Sequence, residues 1–315
     1  MSKRHKKKPA PSKATAPRER IPSAATLFRF SVLDDQSREI VDQAASTMAP
    51  MLWLRDGKIV EQIRAAQTPV QVLDLAAQAH GLAEAAWMAR VRQFGLAVAP
   101  LIAERLRASR DIPDEDARDT VRERLIAALR WTGLLGARAL RECLADLDEY
   151  GQSLACIVLG LLHDTSSAGL MWDYFQKMQS RPQSYFVGAL WGLIDLKDER
   201  AGQALAELLD AERSFYELYG MLALAGDARA VMPLIARMLQ GKKDDRQDAS
   251  VALAAVAQRI GRQALIAEFV KMSASDVERE PLEATADRFL TYPVSTVEEH
   301  FELYYRGLRS YALNV

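Results

Sequence analysis

The sequence predicts an all-α protein built as a linear stack of helical hairpins, an α-solenoid, and three observations carry that prediction. The first is the stretch Leu224 to Leu239, LAGDARAVMPLIARML, which reads as the end of one helix, a turn and a second helix starting near Ala228. Gly226 suits the positive φ that ends a helix, Asp227 suits the cap of the next, and Pro233 falls near the first turn, where amides lack partners. Beyond the turn Val231, Leu234, Ile235, Met238 and Leu239 recur at helical spacing, an apolar stripe that needs a neighbouring hairpin to cover it. The second is a ladder of similar turns, Gly136/Ala139, Asp164/Ala168, Asp198/Ala201, Asp227/Ala230 and Gly261/Ala264, whose first members are 28, 34, 29 and 34 residues apart. The third is a ladder of N-cap residues, Thr120, Ser153, Ser184, Ser214 and Asp245, with steps of 33, 31, 30 and 31. Two ladders sharing a period of about 31 residues are the signature of a repeat architecture.

Taken in order, the chain opens on a basic tail, residues 1–26. Its first twenty residues carry eight basic groups, among them Lys3, Arg4, Lys6, Lys7, Lys8 and Lys13, against Glu19 alone, a net charge of +7. Three prolines and no aromatic leave nothing to bury, so the tail is expected to be disordered. It has no apolar core of a secretory signal. Residues 27–80 form a non-repeating helical entry segment, with Asp34 or Asp35 capping a helix to Met48 and Thr68-Pro69 opening another. Between them MLWLRDGKIV suits either a hairpin turn at Asp56-Gly57 or a break between two helices, and the helical surroundings favour the break. The first hairpin spans 82–109, broken at Gly95, and the acidic run Asp111 to Asp119 reads as an exposed loop. Five more hairpins follow, completing about six over residues 81–275. A helical C-terminal cap, residues 276–315, has helices near Asp276 to Leu290 and Thr296 to Leu313 joined across Tyr292-Pro293.

LAGDARAVMPLIARML resembles the HEAT-repeat motif of the bacterial type found in phycobilisome-lyase-like proteins. Val98-Ala99-Pro100-Leu101-Ile102-Ala103 echoes Val231-Met232-Pro233-Leu234-Ile235-Ala236, and DERAGQALAELL at 198–209 is a copy without the proline. The resemblance implies a right-handed stack of helix pairs that works as a scaffold or adaptor, binding a protein partner through an extended surface. It also brings two alternatives: a chaperone-like subunit assisting modification of a partner, and a helical-repeat DNA glycosylase.

Composition bounds these readings. The residues beyond the first twenty hold 33 basic and 41 acidic groups, net −8, which disfavours the basic face a glycosylase needs for phosphates. No apolar run approaches the length of a membrane span. Two cysteines, Cys143 and Cys156, form no CxxC pair and suit a reducing, cytoplasmic setting, as small core residues. No phosphate loop, dinucleotide fingerprint or nucleophile elbow is present, and Gly241-Lys242-Lys243 has Ala236 where a phosphate loop needs glycine. His163-Asp164 invites a metal-phosphohydrolase reading, yet Asp164 stands in the same turn slot as Asp198 and Asp227, where capping explains it. The sequence therefore predicts a binding protein with no enzymatic activity, metal or cofactor. Phe186, Ala189, Leu190, Leu193 and Ile194 form one inward stripe, and Tyr216, Tyr219, Gly220, Ala223 and Leu224 form its counterpart. That register leaves Tyr185, Phe215, Trp172 and Tyr174 as candidate exposed anchors for a partner, or as packing between repeats. The tail cations suit weak, salt-dependent contact with nucleic acid or an anionic surface.

Overall fold

In a computed structural model of the chain, residues 50–211, 213, 215, 217–272, 279–293 and 300–301 are described. All regular structure among them is helical. The α-helices are α1 (Pro50–Ala65), α2 (Pro69–Leu73), α3 (Leu82–Gln93), α4 (Ala99–Ala108), α5 (Glu115–Leu129), α6 (Gly133–Cys143), α7 (Glu149–Leu161) and α8 (Ala168–Met178). They continue as α9 (Val187–Asp195), α10 (Glu199–Asp210), α11 (Leu218–Ala225), α12 (Val231–Gln240), α13 (Lys243–Ile260), α14 (Arg262–Met272) and α15 (Arg279–Leu290). Each odd-numbered helix packs on the next odd one from α1 through α15, and each even helix packs on the odd helix that follows it. One continuous apolar cluster runs along these layers from Val60 to Phe301.

The turns share a register. Left-handed residues stand at Gly95 (φ 61°), Gly133 (56°), His163 (51°), Lys197 (56°) and Gly261 (82°). Four residues after each comes a buried position: Ala99, Ala137, Ser167, Ala201 and Leu265. Gly226 and Ala230 occupy the same two places, but Gly226 is extended (φ −60°, ψ 146°). Its need for glycine is steric, since a Cβ there would lie 2.5 Å from the Leu222 carbonyl oxygen and 2.8 Å from Val256 Cγ2. At His163 and Lys197 the last carbonyls of α7 and α9 are closed by one pattern. Asp164 and Asp198 amides donate to Leu159 and Leu193 (3.1 and 2.9 Å), while His163 and Lys197 amides donate to Gly160 and Ile194 (2.8 and 2.9 Å).

Several expectations are corrected. The turn ladder slips at its first rung, because Gly136 lies inside α6 and Gly133 makes the turn. Ser167, rather than Ala168, takes the buried place in the next rung, and Leu265 replaces Ala264 in the last. The N-cap ladder fails more widely. Thr120, Ser153 and Asp245 lie inside α5, α7 and α13, Phe186 holds the cap position of α9 without a side-chain bond, and Ser214 lies outside the described residues. Asp114 and Asp148 cap α5 and α7 instead, accepting from the Ala117 and Gly151 amides at 2.7 and 2.8 Å. A carboxylate both satisfies those amides and complements the helix dipole, so the upstream acid wins over the downstream hydroxyl. Hence the loop expected over Asp111 to Asp119 shrinks to residues 112–114, and Glu115 and Asp116 form the first turn of α5.

At the N-terminal end, α1 runs unbroken through Asp56-Gly57, so neither a hairpin nor a break exists there. Asp56 is buried and accepts the Leu82 amide at 3.1 Å, capping α3 from a neighbouring helix. Thr68 opens α2 as expected, with a reciprocal capping box to Gln71. Within the predicted stripes Val231 and Leu234 are buried, but Leu239 is 73% and Leu224 40% exposed. The predicted helix to Met48 and most of that from Thr296 to Leu313 fall outside the described residues, as does Tyr216.

Glycines make the close contact between α7 and α9. Gly188 and Gly192 of α9 face Ser153 and Cys156 of α7, and a Cβ on Gly192 would sit 2.5 Å from the Cys156 carbonyl oxygen. Gly160 completes the seam from the α7 side, where a Cβ would lie 2.5 Å from Gly192 Cα. The Ser153 hydroxyl accepts the Gly188 amide at 3.2 Å, which accounts for a serine on a buried helix face.

Candidate functional site

Helices α4 and α6 lie side by side, and a groove of about 400 Å³ opens along them. Its floor is made of small buried residues, Ala99 and Ala103 from α4 and Ala139 from α6. Leu96, Pro100 and Leu135 form its lip, and Arg107, Arg138 and Glu142 its polar end. Two turns place the lip. The left-handed Gly95 and Gly133 reverse the chain so that Leu96 and Leu134, each one residue later, reach the surface, 55% and 80% exposed. Leu135 beside them is 47% exposed. The two turns touch, and Leu96 and Leu135 both line the groove. Two large apolar side chains, Leu96 and Leu135, exposed together on one groove are the kind of patch that marks an interaction site.

The same turn carries Trp131, whose ring centre lies 4.0 Å from the Arg92 guanidinium and 4.2 Å from that of Arg130. Its indole N–H is buried without an acceptor among the described residues. Arg138 bonds Glu142 at 2.7 Å, holding that carboxyl below the usual range, and Arg107 lies 3.5 Å from Asp146. The groove's polar end is therefore made of two ion pairs, Arg138 with Glu142 and Arg107 with Asp146.

A second polar cluster lies within the odd layer. Arg124 of α5 is nearly fully buried and reaches His80 Nδ1 and Glu84 Oε2, both at 3.3 Å. Burial raises the Glu84 carboxyl, with the Arg124 cation opposing. Arg122 donates to the Ser109 hydroxyl at 3.0 Å and to Asp148, while the Tyr150 hydroxyl donates to Glu123. Burial and that carboxylate push the Tyr150 phenol up. These groups bond one another across α3, α5 and α7, so the cluster reads as an interlock between helices.

Of the candidate anchors, Tyr174 is buried and Trp172, Tyr185 and Phe215 are half-buried. Tyr174 is buried and donates to the Glu149 carbonyl at 2.5 Å. Trp172 is partly buried, 5.4 Å from the Phe175 ring and 5.2 Å from the Arg200 guanidinium. Tyr185 packs near Tyr150 at 6.0 Å and Phe215 stands edge-on to the buried Phe186 at 5.4 Å. All four therefore pack between helices. Lys3, Arg4, Lys6, Lys7, Lys8 and Lys13 lie outside the described residues.

No protein family, curated protein or solved structure matches this chain.

His163 is exposed while Asp164 is buried against Arg141 and the Ser167 hydroxyl, so the pair diverges. Asp164 is thus no cap, in contrast to Asp198 and Asp227, which accept from the Arg200 and Arg229 amides at 3.0 and 2.8 Å. Burial pushes the Cys143 thiol to about 11 and the Cys156 thiol to about 12, so both are protonated at neutral pH. Among the described residues no group of three His, Cys, Asp or Glu side chains is placed to hold a metal ion, and no helix is long and apolar enough to cross a membrane. The sequence reading missed Leu134 and Leu135 because it put the turn at Gly136. The signal was the run Trp131-Thr132-Gly133-Leu134-Leu135, where a left-handed glycine is followed by two leucines.

Proposed function

We propose that the chain is an α-solenoid of HEAT-like hairpins acting as a scaffold or adaptor, which binds a protein partner at the groove between α4 and α6. The observation that carries the binding site is the pair of exposed leucines, Leu96 and Leu135, on a groove floored by alanine, with the exposed Leu134 next to Leu135 in the chain. Packing between helices one and two steps apart, with a recurring turn register, supports the solenoid. The reading assigns the chain no catalytic step of its own. Affinity capture on the full-length chain, followed by mass spectrometry, tests it against Leu134→Asp/Leu135→Asp, a variant whose changes fall on exposed positions. A stoichiometric protein partner is expected with the wild type and lost with the variant, while far-UV circular dichroism stays unchanged. Capture of the same partner by both chains, or turnover of a small substrate by the purified protein, overturns the reading.

A further inference from the structure

We infer that the chain's own residues 27–33 dock in the groove between α4 and α6, and that a partner has to displace them. This inference rests on the scaffold reading and names the regulation of its site. The groove selects by apolarity alone. Its floor is Ala99, Ala103 and Ala139 and its walls are Leu96, Pro100 and Leu135, while the charges at its polar end are committed to carboxylates of the same chain, Arg138 to Glu142 and Arg107 to Asp146. An occupant gains there by burying apolar side chains and meets no uncommitted charge.

Residues 27–33, Leu-Phe-Arg-Phe-Ser-Val-Leu, carry that chemistry. Phe28 and Phe30 are the only aromatic residues ahead of Pro50, in a stretch otherwise rich in Lys, Arg, Ser, Ala and Pro. Phe28, Phe30 and Val32 alternate with Arg29 and Ser31, the pattern of an extended segment with one apolar face. Such a face suits a groove walled by leucine and proline, with Arg29 and Ser31 left in water.

The chain is long enough to reach. α1 runs parallel to α3, since Asp56 caps the start of α3 and Arg90 near its end donates to the Ala66 carbonyl at 2.8 Å. Pro50 therefore lies roughly 30 Å from Leu96 along the two helices. The 16 residues 34–49 span up to about 55 Å when extended, and about 30 Å with the expected helix to Met48 in place. Either length brings Leu33 to the lip of the groove. A tether of this kind holds the segment at an effective concentration on the order of a millimolar, so a weak contact keeps it seated and a tighter partner displaces it.

Photo-cross-linking on the full-length chain tests this, with p-benzoylphenylalanine in place of Phe30 and an equal amount of isotopically heavy chain mixed in to separate adducts within a chain from adducts between chains. Within-chain adducts on Leu96 to Arg107 and Leu135 to Glu142 are expected, falling about fivefold or more with Leu134→Asp/Leu135→Asp. Phe28→Asp/Phe30→Asp should raise the yield of the captured partner severalfold. Adducts elsewhere in the chain, adducts undiminished by the leucine variant, or a capture yield not raised by the phenylalanine variant each overturn the inference while leaving the scaffold reading standing. Heavy-to-light adducts at the groove put a second copy there and likewise overturn it. Failed capture by every chain sinks the scaffold reading, and the displacement with it.

Discussion

Asp198 and Asp227 show how one residue type does two jobs at a turn. Each caps the following helix and also pairs with the arginine two residues on, Arg200 at 2.6 Å and Arg229 through its guanidinium. The side-chain bond from Arg200 holds the Asp198 carboxyl below its ordinary value of 3.8; at Asp227 burial opposes the shift, and the Arg229 bonds outweigh it. Depressed carboxyl values mean stability that is present above the unfolded value near 3.8 and is lost as pH falls through the lower folded one. Asparagine keeps the cap but not the charge. Asp198→Asn/Asp227→Asn is therefore expected to lose roughly 0.5–1 kcal/mol per site at pH 7, allowing for solvent screening, and the difference from wild type should vanish below about pH 3. Urea unfolding at the two pH values measures it. The two caps were legible because a cap involves residues two positions apart. Asp164, in the same slot, turns inward to Arg141, which stands 23 residues earlier and which no local pattern relates to it.

At the scale of elements, α7 and α9 approach closely because Gly160, Gly188 and Gly192 leave their backbones uncovered. Gly192→Ala is expected to destabilise the chain by about 1–3 kcal/mol, since the added methyl meets the Cys156 carbonyl and Met171 sulfur and both helices must shift. A fall in the urea midpoint with an unchanged slope would be the sign of it. The polar interlock offers an independent test between α5 and its neighbours. Arg122→Met removes charge-assisted bonds to Ser109 and Asp148 and should cost about 1.5–3 kcal/mol, seen as a lower thermal midpoint. The helix beginnings were misread by about five residues at α5 and α7. Thr120 and Ser153 have the chemistry of caps, and only the packed helix decides that Asp114 and Asp148 do the capping.

For the whole molecule, the solenoid reading predicts an elongated particle. A compact chain as long as residues 48–301 has a radius of gyration of about 18 Å, so small-angle scattering from that fragment should give a clearly larger value with a skewed distance distribution. A radius near the compact value would remove the solenoid. The leucine surface makes a second whole-molecule prediction, because Leu134→Asp/Leu135→Asp removes exposed apolar area. Its unfolding free energy should match that of the wild type within about 0.5 kcal/mol, separating its effect on binding from any effect on folding.

The sequence by itself determined the helical class, the place of most turns and the inward stripe of α9, because those depend on residues within one or two helical turns of each other. Gly95, Gly261, Asp198 and Asp227 act through their own φ or their own cap, and a reader of the chain finds them. Tertiary structure alone decided which polar residues are buried and which apolar ones are exposed. Asp56 is hidden because α3 begins against it, Tyr174 because the Glu149 carbonyl accepts its hydroxyl, and Leu134 stands out because Gly133, not Gly136, turns the chain. Burial is set by what lies across the contact, often 25 or more residues away, and a helical period carries no information about that neighbour.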